Sequence, residues 1–306
     1  STDLITFTTP SLSSGAGSFL TNIGEVEGTG YELTIGGTIL KATDFSWDVN
    51  VNYTANEQKV KSISEGVNEI TITSTGEVGI FAIVGEDFPQ MKATSYQRDP
   101  QGRIIIDAAS GNPQVGALKN MGKTTPDYIL GLTSTINYKD FSLSTTVDYR
   151  TGHVYYEQGS DAMEFTGRSL ESASANRQDF VLPNSVVETS PGVFVANTNI
   201  PITDGRQDYW TNTYNEIKEN YVKDATALKI REVALNYTLP ADVLKNSPVS
   251  AVNIGFIGRN LFTWLPAENH FSDPEFNNAN SNAIGIGGYF QSPPTRSYGF
   301  SVNIEF

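Results

Sequence analysis

Two histidines, His153 and His270, are the only imidazoles in this 306-residue chain, and it has no cysteine, so metal and thiol chemistry have few footholds. Histidine pairs hold metals when spaced i, i+4 or joined by further ligands, and these two stand in separate segments. His153 lies near Asp148 and Tyr155, a set that could move a proton. No Gly-x-Ser-x-Gly or comparable nucleophile setting accompanies it, so no catalytic residue is expected. Asp273, Glu275, Asn277 and Asn278 offer hard oxygens of the kind Ca²⁺ or Mg²⁺ takes, with Asp273 and Glu275 as the candidate pair. A solvated acidic turn accounts for the same residues, and the reading is no metal and no cofactor. Gly285 to Gly288 lacks the spacing of a nucleotide loop and reads as a flexible loop. Tyr155, Tyr156, Tyr209, Trp210, Tyr289 and Phe290 are flat rings that could stack on sugars or pack peptide side chains. Rings in such positions also glue long loops to one another.

Net charge narrows the partners. At −14, with basic residues scattered, the chain would repel phosphate backbones, which argues against nucleic acid. No run of roughly 18 uncharged apolar residues exists, so a membrane span would have to be carried by alternating strands. Ser1 opens directly into Leu4, Ile5 and Phe7 without a basic and then apolar leader, so the chain is expected to be processed or a fragment.

The elements that must position those rings and charges alternate with period two. Tyr31, Leu33, Ile35 and Ile39 run toward a tight turn at Lys41 to Asp44; Phe45, Trp47, Val49, Val51 and Tyr53 run away from it. Tyr128, Leu130, Leu132, Ile136 and Tyr138 repeat the design across Lys139 and Asp140 to Phe141, Leu143, Val147 and Tyr149. The intervening positions are small or polar, and tyrosines mark the strand ends, as an aromatic girdle requires. In a third pair the phase slips between Ile230 and Val233, which implies a bulge or an end above the membrane. The final strand sets Tyr298, Phe300, Val302, Ile304 and Phe306 opposite small polar residues, and its terminal aromatic fits an outer-membrane assembly signal.

Strands are thus expected near 4–9, 31–40, 45–54, 128–138, 141–150, 228–239, 251–262 and 296–306, eight in all. Long and short connections alternate, the layout of an outer-membrane barrel with long outer loops and a periplasmic carboxy terminus. A soluble β-sandwich would alternate too, but has little reason for tyrosines at both strand ends or for loops of this length. Inward positions Gly131, Thr133, Thr135, Ser142, Ser144, Thr146, Gly299 and Ser301 are too small to fill a narrow lumen. The eight strands therefore read as one arc of a larger wall.

At this point several segments resemble one family. Asn22 to Leu33, Asp44 to Trp47, Thr125 to Tyr128, Phe141 to Ser144, Leu228 to Pro240, Gly258 to Trp264, Asp273 to Glu275 and Pro294 to Tyr298 are similar, in order, to the SusC/RagA-type TonB-dependent transporters of Bacteroidetes outer membranes. Thr29 and Ser297 are mild departures from the common residues. The resemblance implies an all-β, antiparallel transmembrane β-barrel of about 22 strands with a plug, of which this chain is the last eight or so strands. Plug and TonB box have no counterpart here. It further implies import of oligosaccharides or peptides, a SusD-like surface lipoprotein over the outer loops, TonB acting through the amino-terminal part, and the barrel-assembly machinery and outer-membrane lipid as partners. A scaffold role in an envelope complex, or an autonomous eight-stranded barrel with hydrolase activity, are the alternatives.

Overall fold

The computed structural model describes residues 5–8, 19–22, 24–203, 205, 207–269, 271–279, 281–289, 292 and 294–306. Its frame is an antiparallel meander of seven strands: β1 (Glu25–Lys41), β2 (Phe45–Ser62), β3 (Tyr128–Tyr138), β4 (Phe141–Thr151), β5 (Ala227–Thr238), β6 (Ala251–Trp264) and β7 (Ser297–Glu305). They are hydrogen-bonded in sequence order, and the sheet does not close on itself. The strand expected near 4–9 is a correction. Ile5–Thr8 pairs with Phe19–Asn22 in a separate two-stranded sheet, so the wall has seven strands among the described residues, not eight. Leu4 and Thr9 lie outside those residues.

Register turns the alternation into two unlike faces. Leu33 pairs with Tyr53, Tyr53 with Leu130, Leu130 with Tyr149 and Tyr149 with Leu228, so one apolar row crosses five strands. Leu143, Leu235, Phe256 and Phe300 make a second row across the other end of the wall. Apart from the half-buried Tyr53 and Tyr149, these side chains are exposed in the isolated chain, Phe300 at 71% and Leu33 at 54%, which in water would be a large penalty and in lipid is none. Eleven residues in β3 at about 3.3 Å each, tilted about 45°, cover about 25 Å, the height of a barrel's apolar band. Tyr53, Tyr128 and Tyr149 cluster at one end, with ring centroids 5.7 and 6.1 Å apart, and Phe141 stacks on Tyr237 at 4.5 Å at the other. The polar Ser134 on the apolar face is satisfied by the Trp47 indole, whose Nε1–H donates to its Oγ at 2.9 Å. Among the described residues no helix is long and apolar enough to cross a membrane.

The opposite face is a polar ladder. Thr133 pairs with Thr146, Thr135 with Ser144 and Gly255 with Ser301, while Thr34 donates to Asn52 at 2.9 Å and Asn137 to Ser46 at 3.0 Å. The phase slip in β5 is a bulge: the register shifts between Ile230 and Glu232. Arg231 and Glu232 therefore follow each other on the polar side, while Leu228, Ile230, Val233 and Leu235 keep the apolar side. β1 and β2 also run well past the expected 31–40 and 45–54, through Glu25 and Ser62.

The buried core of the molecule lies in the long connections rather than in the wall. Segments 69–75, 78–83, 90–96 and 115–123 form a four-stranded sheet, 104–106, 185–190 and 193–196 a second sheet, and 154–156 pairs with 222–224. Val78, Ile80, Met91 and Ala93 from one connection meet Tyr156 and Tyr221 from the next and Ile286 from the last. Three connections thus share one apolar cluster, which fixes them to each other above the wall.

Candidate functional site

A short helix, α1 (Gln158–Phe165), brings the connection after β4 against the one after β6. Glu157, just before it, is fully buried. Its carboxylate accepts from the backbone N–H groups of Phe271 and Ser272 at 3.0 and 2.8 Å, from the Ser272 hydroxyl at 3.1 Å, and from the Tyr155 hydroxyl at 2.9 Å. The Ser160 hydroxyl donates as well. Five donors satisfy this buried carboxylate, and through them it ties the two connections together.

Segment 271–275 is held from below by the wall. Lys229 Nζ lies 2.6 and 2.5 Å from the Asp273 carboxylate oxygens and 2.5 Å from Glu275 Oε2. Arg231 Nη1 donates to Glu275 at 2.7 Å and its Nη2 to Asp148 at 3.0 Å, while Arg150 reaches Asp148 at 2.9 Å and Glu275 at 2.7 Å. Three cations meet three carboxylates. Burial pushes the Glu275 carboxyl up, but the hydrogen bonds from Arg231 and Lys229 and the charge of Arg150 outweigh it and hold the group down at about 2. The oxygens of the candidate metal pair, Asp273 and Glu275, are therefore taken up by Lys229 and Arg231. Among the described residues no group of three or more metal-ligating side chains converges.

The sequence-derived residues fall into three places. Tyr155, Tyr156, Tyr209 and Trp210 are buried, so these rings join loops to each other rather than face a solute. Tyr209 packs edge-on against Phe180 and Trp210, and Tyr156 against Tyr221. Tyr289 is half exposed and lines a cleft of about 390 Å³ between α1 and the connection after β6. Phe290 and His270 lie outside the described residues. The set His153, Asp148 and Tyr155 is not assembled: Asp148 is bound to Arg150 and Arg231, and the Tyr155 hydroxyl faces Glu157 and Asn269. Burial pushes the His153 imidazole down to about 4, leaving it neutral near pH 7.

The expectation of a flexible Gly285 to Gly288 loop is overturned. Gly285 accepts from the Tyr156 N–H at 2.7 Å, Gly287 donates back to Tyr156 at 3.0 Å, and Ile286 is buried in the shared cluster. At φ 115° and with Thr124 2.4 Å from where a Cβ would stand, Gly285 has no room for a side chain. Sequence reasoning also passed over Glu157, Arg150, Lys229 and Arg231. The available signal was three charged residues, Lys229, Arg231 and Glu232, inside an apolar strand, a pattern that requires inward partners.

Glu164 on α1 is a further buried acid, 2% exposed, and its Oε2 has no hydrogen-bond partner among the described residues. Burial, opposed by Lys223 and reinforced by Glu171, Asp161 and Glu157, pushes its carboxyl up to about 8. The folded value lies above the ordinary 4.5, so this group's contribution is complete below about pH 4.5 and is lost as the pH rises through about 8. Thermal protection of the loop core, followed by hydrogen exchange from about pH 5 to about pH 9, is expected to fall with pH, and Glu164→Gln to flatten the fall. An unchanged slope in the variant would remove Glu164 as the cause.

No family model matches the chain. It is similar to two proteins of Formosa agariphila: "TonB-dependent receptor P3", 26% identical over 96% of this chain, and "TonB-dependent receptor P26", 24% identical over 98%. The chain spans 30% and 31% of their lengths, under a third of each. Among solved structures, one described as the RagAB peptide transporter superposes with a TM-score of 0.70 at 18% identity, over 100% of this chain and 32% of that one. Another, described as the RagAB peptide importer in an open-open state, gives 0.71 at 17% identity, over 100% and 31%. Similarity to such receptors along nearly the whole chain, joined to a shared wall with one apolar side, gives this chain the fold of part of a TonB-dependent β-barrel and a resemblance to the SusC/RagA type.

Proposed function

We propose that this chain supplies the last wall strands and outer loops of a SusC-like transporter that imports oligosaccharides or peptides, driven by TonB and covered by a SusD-like surface lipoprotein. The observation that carries the reading is the wall itself: an apolar outer face, a small-residue polar inner face, and three long connections packed together at one end. Both outermost strands, β1 and β7, have a free edge among the described residues, and an unpaired edge is not tolerated in lipid. Further strands must complete the wall. The short turns lie on one side, so β7 runs toward the periplasm. Of the exposed loop rings, Tyr289 is the substrate-facing candidate.

The test is made on the parent polypeptide in outer membranes. Its intact mass is expected to be about three times that of this chain, by the share of the relatives it spans, and a surface lipoprotein should co-purify. Uptake of labelled oligosaccharide and peptide pools should stop when TonB is depleted. Uptake indifferent to TonB, with assembly or secretion proteins co-purifying instead, would replace import with a scaffold role.

A further inference from the structure

The cleft beside α1 has a feature that restricts what it can hold. Three of its polar side chains are committed elsewhere: the Asp273 carboxylate faces Lys229 at 2.6 and 2.5 Å, the Ser272 hydroxyl donates to Glu157 at 3.1 Å, and the Asn269 amide meets the Tyr155 hydroxyl, which leaves the Thr263 and Ser292 hydroxyls. Most of the rest of the lining is apolar, Met163, Leu265, Phe271, Phe276 and the Tyr289 ring, with Phe271 39% and Tyr289 49% exposed. At about 390 Å³ the cleft is near the lower end of ligand pockets, roughly 300–1,000 Å³. A sugar ring brings several hydroxyls that need partners, and burying them unpaired costs more than stacking returns. A single apolar group brings none.

Part of the cleft lining is a glycine with room for a side chain. Gly159, on α1, faces the cleft without a side chain, and a Cβ there would stand 3.5 Å from Phe271 Cβ. The same cleft is bounded by Ser272 and Asp273, the residues held by Glu157 above and Lys229 below. An occupant would touch both α1 and the segment tied to the wall.

We infer that this cleft is a subsite for one apolar group of aromatic-side-chain size, carried on the imported molecule. The inference rests on the import reading for the origin of the ligand, but binding itself requires no energised uptake. Two sources share the chemistry: an apolar peptide side chain and the apolar aglycone of a glycoside.

Purified full-length transporter is titrated with two probe pairs, acetyl-Gly-Phe-Gly-amide against acetyl-Gly-Ala-Gly-amide, and phenyl against methyl β-glucoside. The apolar member of one pair is expected to bind about tenfold tighter or better, the return for burying a ring. Which pair discriminates identifies the carrier. Gly159→Leu, which fills the cleft from a helical position that tolerates leucine, should abolish the preference, and Tyr289→Ala should weaken it. No preference in either pair, or a preference untouched by Gly159→Leu, overturns the subsite. Uptake by the unsubstituted protein, measured in parallel, separates the two readings: no discrimination there with intact TonB-dependent uptake sinks the subsite alone, and discrimination without uptake sinks import alone.

Discussion

Replacing Lys229 with methionine should cost about 3–5 kcal/mol of local stability, because it leaves the Asp273 carboxylate buried without its cation. The geometry sets the size of the effect. Both partners are almost wholly excluded from water, and Lys229 serves Asp273 and Glu275 together, so no solvent can replace it cheaply. Arg231 and Arg150 still hold Glu275, and the damage is therefore expected at Asp273 and its neighbours rather than throughout the wall. Hydrogen exchange on the assembled parent protein is the measurement. Amides of 271–275 and of α1 should exchange faster together, since Glu157 couples them. Asp273→Leu in the same chain should restore much of the protection, because deleting both charges leaves no orphan. If the single variant exchanges as the parent does, the clamp contributes no stability.

That clamp also marks where reading the sequence succeeds and where it fails. The pair β3 and β4 was legible to within one residue, Thr151, because an apolar environment on one side and a polar one on the other force strict alternation, and Lys139 adopts the positive φ of 50° that a tight turn demands. The slip near Ile230 was legible as a bulge for the same reason: any departure from period two stands out against so regular a background. The outer halves of β1 and β2 were not legible. Glu27, Glu57, Lys59 and Lys61 are exposed and crowd the pattern with charge, so the single apolar pair Val26 and Val60, buried against Ala82 and Phe88, does not read as a strand, although backbone pairing continues. The loop core was hidden differently. Its strands are short, 104–106 and 154–156 among them, and its cluster gathers residues from three connections far apart in sequence. Glu157 looks like any surface acid until Phe271 and Ser272 are folded onto it. The aromatic residues were chosen correctly as unusual, but large rings serve burial first, and four of the five described ones are spent on it.

Adjacent residues on β7 should respond oppositely to the same substitution. Phe300 pairs with Phe256 on the apolar face and Ser301 with Gly255 on the polar face, one residue apart. An arginine at Phe300 would sit in hydrocarbon, where a cation on the outer face of a barrel costs about 2–4 kcal/mol near the midplane. An arginine at Ser301 would extend into the lumen, where water and neighbouring polar groups solvate it. Gly255 leaves space beside Ser301, so the longer side chain meets no packed neighbour on that strand. Phe300→Arg is therefore expected to cut the yield of assembled, heat-modifiable barrel severely, and Ser301→Arg to leave it nearly unchanged. Period two makes the comparison strict, since any overall sensitivity of β7 to bulk or charge would affect both variants alike. Equal loss in the two would mean that both faces are packed against protein, and the assignment of one face to lipid would fall with it.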